Sequence, residues 1–114
     1  MALNRAAVLR LLTAGPLTLG LLDAFGHPLA LPGYLPRELT PGAWKIKGGK
    51  AIGPDVVWQL QGQKGKTLAI RGYAVADAAG VSVLSEDFSD GPFRVEARGA
   101  RLRVQPVLEV VAPA

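Results

Sequence analysis

The chain has no cysteine, and that one absence excludes a disulfide scaffold, a thiolate metal site and a cysteine nucleophile, while leaving the redox compartment open. Histidine is nearly as scarce. His27 stands alone between Gly26 and Pro28, in a turn context with no second histidine to complete a zinc site, so a packing or surface role is expected of it. Serines 82, 85 and 89 lack a plausible base, and nucleophilic catalysis has no support. No uninterrupted apolar run approaches the roughly 20 residues of a membrane-spanning helix. Leu9 to Leu22 superficially resembles a secretory signal, but Arg10 interrupts it and Gly15-Pro16 breaks it in the middle. Internal repeats, low-complexity segments and linkers are missing as well. One Asn and one Met beside nine prolines is a composition seen in chains from hot environments or GC-rich genomes.

What is present bounds the architecture. A chain of 114 residues, 49% hydrophobic, is one domain with a single modest core. The 13 basic and 9 acidic side chains give +4, but the excess is spread: residues 1–57 hold 6 basic and 3 acidic, residues 58–114 hold 7 and 6. No basic patch is visible, so nucleic acid is not an expected partner. Gly and Pro together are about a fifth of the chain, against an average near 12%, which means short elements joined by many turns.

Everything is arranged around Leu68 to Leu84, which reads as a β-hairpin. Leu68–Ala76 is an apolar run of strand formers, Asp77-Ala-Ala-Gly80 is the turn, and Val81–Leu84 returns. Asp77 can bond its own backbone two residues on, and Gly80 accepts the left-handed geometry that closes the loop. Ahead of it, residues 1–15 are expected to hold a short helix, from an N-cap at Asn4 to Ala14, packing through Val8, Leu11 and Leu12. Leu17–Asp23 reads as a strand buried on both faces. The stretch 29–42 carries prolines 32, 36 and 41 and cannot be a central strand; it is a loop or edge arm anchored by Tyr34 and Leu35. Short strands follow at Ala43–Ile46, at Ala51-Ile52 and at Val56–Gln61, where Val56, Trp58 and Leu60 share one face. Glu86–Gly91 reads as an acidic turn, Pro92–Val95 as a strand, and Leu102–Val111 as one closing strand. Turn signals every 8 to 12 residues indicate an antiparallel β-sandwich or barrel-like fold, all-β apart from the N-terminal helix.

Chemical motifs are weak. Gly62-Gln-Lys-Gly-Lys-Thr67 ends like a phosphate-binding loop, but Leu60 occupies the position of the required first glycine and a strand follows where a helix is needed. Glu86, Asp87 and Asp90 do not have the spacing of a calcium loop. No cofactor, metal or catalytic residue is expected. Association is better supported: Arg101, Arg103 and Gln105 share the exposed face of the last strand, opposite Leu102, Val104 and Pro106, and arginine is enriched at protein interfaces. Trp44 and Trp58 fit core positions better than a binding platform. High apolar content in a small chain, together with a proline-rich arm short of local partners, favours an oligomer with Leu31, Tyr34 and Leu35 buried between subunits and Arg101 or Arg103 at the rim.

Several strings, in order, resemble the small tail-fibre or tail-tip accessory proteins of tailed bacteriophages. An Ala/Leu-rich start runs into a leucine-alternating strand at Leu9 to Leu22, and a Gly-Tyr-x-x-Arg-like string follows at Gly33–Arg37 with one extra residue. An aromatic strand precedes Gly48-Gly49, and an apolar strand enters Asp77-Ala-Ala-Gly80, one turn residue shorter than in the family pattern. A Pro-x-x-Val strand, a Gly turn and an alternating strand close the chain from Pro92 to Val111. The resemblance implies a non-enzymatic, β-rich virion structural protein on the tail, the fibre or the capsid surface. Its partners would be copies of itself, as a trimer by analogy with phage spikes and capsid decorations, and other virion proteins, with a host surface glycan as a further candidate and no membrane. Two other expectations stand beside it: a carbohydrate- or receptor-binding module using exposed tryptophan and tyrosine, and, least favoured, a small enzyme. Burial of Trp44 and Trp58 distinguishes the first from the second.

Overall fold

The computed structural model describes residues 2–4 and 15–111. They form an all-β protein of β1 (Ala2–Asn4), β2 (Leu17–Asp23), β3 (Arg37–Leu39), β4 (Lys45–Lys47), β5 (Lys50–Ile52), β6 (Val56–Leu60), β7 (Leu68–Ala76), β8 (Ser82–Asp87), β9 (Phe93–Val95), β10 (Ala100–Val104) and β11 (Val107–Val111). One 3-10 turn, Pro41–Ala43, leads into β4. A five-stranded sheet has the order β3-β2-β7-β8, with β9 also on β7; β6 and β10 form a two-stranded sheet, and β1-β11-β5-β4 a third. Every pairing is antiparallel except β1 with β11. The molecule is elongated, 52 × 25 × 21 Å. Among the described residues no helix is long and apolar enough to cross a membrane.

The expected hairpin is the centre of the largest sheet. Asp77 Oδ1 accepts hydrogen bonds from the amides of Ala79 and Val81, both at 2.9 Å, and Gly80 adopts φ +83°. These local bonds satisfy the turn amides and hold β8 against β7. Strand alternation then makes the core: Leu17, Leu19 and Leu21 of β2, Ile70, Tyr73 and Val75 of β7 and Leu84 of β8 share one buried cluster with Val56, Trp58 and Leu60 of β6 and Leu102 and Val104 of β10. The two-stranded sheet thus covers the inner face of the five-stranded one. Fully burying each large apolar side chain contributes about 1.5 to 3 kcal/mol. The polar connection 61–67 and the turn 96–99 carry the chain from one sheet to the other, and the phosphate-loop-like string at 62–67 enters β7 rather than a helix.

The structure changes four assignments. Ala2–Asn4, inside the expected 1–15 helix, is a strand paired with β11, and residues 5–14 lie outside the described residues. The closing strand is two strands, β10 and β11, in different sheets, because Pro106 has no N–H to donate to a ladder; its carbonyl accepts from Gly53 instead at 2.8 Å. Glu86 and Asp87 belong to β8, so the turn that follows is shorter and is closed by the Gly91 amide on the Phe88 carbonyl. Ala43 lies in the 3-10 turn, and the strand after it begins at Lys45.

β7 is not a plain alternating strand. Leu22 pairs with Gly72 but Asp23 pairs with Ile70, so Arg71 is an extra, bulged residue. The bulge lets Ile70 and Tyr73, three apart, both face the core while Arg71 stays exposed.

Candidate functional site

Two places bring side chains together in a manner the fold alone does not require. The first is the proline-rich arm. Tyr34 places its hydroxyl 2.8 Å from the Leu21 amide, from which it accepts a hydrogen bond, and its ring lies 6.0 Å from that of Trp58. Trp58 Nε1 in turn donates to the Leu35 carbonyl at 2.9 Å, and Arg37 Nη2 donates to the Val57 carbonyl at 3.2 Å with its guanidinium over the Trp58 ring. Burial pushes the Tyr34 hydroxyl above its ordinary pKa, an effect the Leu21 amide opposes. The arm is therefore tied to its own chain: Leu31 and Tyr34 pack on the core cluster, while the Leu35 side chain is 74% exposed. Tyr34 is an anchor as expected; Leu35 anchors through its carbonyl, not its side chain.

The second place flanks the turn Phe88–Gly91. One shallow groove of about 290 Å³ is lined by Ala24, Arg71, Asp87, Phe88, Gly91 and Pro92. An adjoining depression of about 300 Å³ shares Phe88, Gly91 and Pro92 and adds Ser89, Asp90, Phe93, Leu102 and Arg103. In the first, Arg71 Nε donates to Asp87 Oδ1 at 3.0 Å, with both side chains about half exposed. Beside the groove is the turn after β2. Asp23 Oδ1 accepts from the amides of Phe25 at 2.9 Å and His27 at 3.0 Å, the Gly26 amide donates to the Asp23 carbonyl, and the Asp23 amide donates to the His27 carbonyl. The His27 amide, more than any other contact, holds the Asp23 carboxyl below its ordinary pKa. This many bonds fix the turn, and it presents Phe25 81% exposed.

The remaining candidates separate. Arg101 and Arg103 are exposed on β10 as expected, and Arg103 lines the depression beside Phe93. Trp44 and Trp58 are both buried, and Trp44 Nε1 has no hydrogen-bond acceptor among the described residues. Glu86 accepts from the Tyr73 hydroxyl at 3.1 Å, Asp87 is paired with Arg71, and no metal-holding group of His, Asp or Glu occurs among the described residues. The sequence singles out neither Phe25 nor Arg71, and Asp87 stands out in it only as part of the acidic run 86–90. Arg71 carries the one usable signal: it would face the core with Tyr73 and Val75 in unbroken alternation, and a charged side chain there points to a bulge.

No protein-family model, curated protein or solved structure matches this chain.

Proposed function

We propose that the protein is a non-enzymatic structural subunit of a tailed-phage virion, working as a small symmetric oligomer on the tail, the fibre or the capsid surface. The observation that carries the self-association is Leu35: a large apolar side chain, 74% exposed, on an arm that Tyr34, Trp58 and Arg37 hold in place. An apolar group held rigidly outward loses little conformational freedom when a partner covers it. The burial of Trp44 and Trp58 favours this reading over a module whose tryptophans stack on a ligand. The phage assignment itself rests on the ordered resemblance of the strings from Leu9 to Val111.

Sedimentation equilibrium of the purified chain and of Leu35→Asp tests the assembly. The expected mass is about three chains for the native protein and a folded monomer for the variant. A native monomer, or a variant of unchanged mass, removes the Leu35 interface. Electron micrographs of particles labelled with an antibody to this protein test the location, and particles that take no label remove the virion reading.

A further inference from the structure

We infer that the groove between the Phe25 turn and the Phe88–Gly91 turn is a binding site for a neutral sugar ring. Three properties of the groove select that chemistry. Phe25 is exposed on a turn fixed by Asp23, and the residues on either side of it approach the groove: Ala24 lines it, and a Cβ at Gly26 would lie 3.6 Å from Arg71 Nη1. Such an aromatic face is electron-rich and takes the C–H face of a pyranose at little ordering cost, because the turn is already set.

The polar wall is a donor and an acceptor side by side. Arg71 uses Nε on Asp87 Oδ1, a bond that engages neither its Nη donors nor Asp87 Oδ2, and both side chains are about half exposed. Each of two neighbouring hydroxyls can accept from the guanidinium and donate to the carboxylate. Other ligand classes match worse. An anion meets Asp87, a cation meets Arg71, and a purely apolar group would strip water from a charged pair without replacing its hydrogen bonds.

The third property is repetition. The adjoining depression again offers an acid, an arginine and an aromatic wall in Asp90, Arg103 and Phe93, and the two share Phe88, Gly91 and Pro92. Each volume lies at the lower end of small-ligand sites, as one ring requires, and their continuity suits two linked rings. The bulge at Arg71 is what turns the guanidinium to this surface. This site is separate from the Leu35 surface and does not depend on the virion reading.

The test is titration of the isotopically labelled full chain, followed by its amide NMR spectrum, with the methyl glycosides of glucose, galactose and mannose, with N-acetylglucosamine and with maltose and cellobiose. At least one should give saturable shifts confined to residues 23–27, 71 and 86–93. Phe25→Ala and Arg71→Gln, both exposed positions whose spectra report an intact fold, should each weaken that binding about tenfold or more. The absence of saturable shifts with all six sugars up to their solubility overturns the proposal, as do shifts that both variants leave unchanged. A Phe25→Ala variant that lowers the sedimented mass, with no sugar response in the native chain, makes the turn a protein contact and overturns it too. Loss of the Leu35 interface, by contrast, leaves the sugar titration unaffected.

Discussion

The Tyr34 hydroxyl and the Leu21 amide, 13 positions apart, meet at 2.8 Å and lock the proline-rich arm onto β2. That contact decides what the arm can do. A segment with prolines at 32 and 36 has few backbone donors of its own, so side chains and carbonyls hold it: Tyr34 on Leu21, Leu35 through its carbonyl on Trp58, Arg37 on Val57.

Tyr34→Phe should therefore destabilise the chain by about 1 to 2 kcal/mol, since it leaves a part-buried amide without its partner. Thermal unfolding reads this directly. An unchanged midpoint would mean that water replaces the hydroxyl without cost.

The hairpin turn offers a comparison of two glycines. At Gly80 a side chain would meet open space, and the penalty is purely the positive φ of +83°, so Gly80→Val should cost about 1 to 2 kcal/mol. At Gly72 the backbone has no such restriction, yet a Cβ would overlap the Glu86 carbonyl of β8. Gly72→Ala should thus lower the unfolding midpoint more than Gly80→Val, and the reverse order would contradict the tight β7–β8 approach.

Asp77→Ala removes the acceptor of two turn amides and should cost about 1 to 2 kcal/mol. Asp77→Asn, which keeps an acceptor oxygen in place, should recover most of it. Denaturant midpoints of the two variants separate the roles of hydrogen bonding and charge.

Alkaline stability follows from Tyr73. Burial and then the neighbouring Glu86 charge push its hydroxyl up to about 12 from an ordinary 10.0. A group with a raised folded pKa favours its protonated form when folded, so its contribution is complete below pH 10 and is lost as pH rises from there through about 12. Tyr34 is shifted in the same direction. Tyrosinate absorbance should consequently stay low at pH 10 and rise together with the loss of sheet circular dichroism. Early ionisation in a folded chain would contradict the burial of both tyrosines.

Asp23 gives the acid counterpart. Its lowered pKa means that the carboxylate form is favoured in the folded turn, so its contribution is present above the ordinary value of 3.8 and disappears as pH falls through the folded value. The protection of the Phe25 and His27 amides, measured as exchange relative to the intrinsic rate at the same pH, should hold at neutral pH and fall as pH drops through that range. Asp23→Ala should lower that protection at neutral pH and make little difference below the folded pKa.

Where a signal is local, the residues sufficed. Asp77 and Gly80 close a turn through bonds within four residues, and the alternation of Arg101, Leu102, Arg103 and Val104 separates an exposed from a buried face without reference to the rest of the chain. The same period placed Val56, Trp58 and Leu60 in the core. What depended on distant partners was decided by tertiary structure. The arm's direction came from Leu21 and Trp58, residues 13 and 23 positions from their partners. The bulge at Arg71 arises because β2 and β7 must keep both Ile70 and Tyr73 inward, a condition that exists only once those strands are paired. The groove beside Phe25 is the product of that bulge and of two turns from separate parts of the chain, so nothing in the local pattern around Phe25 distinguished it from any other apolar residue near a glycine.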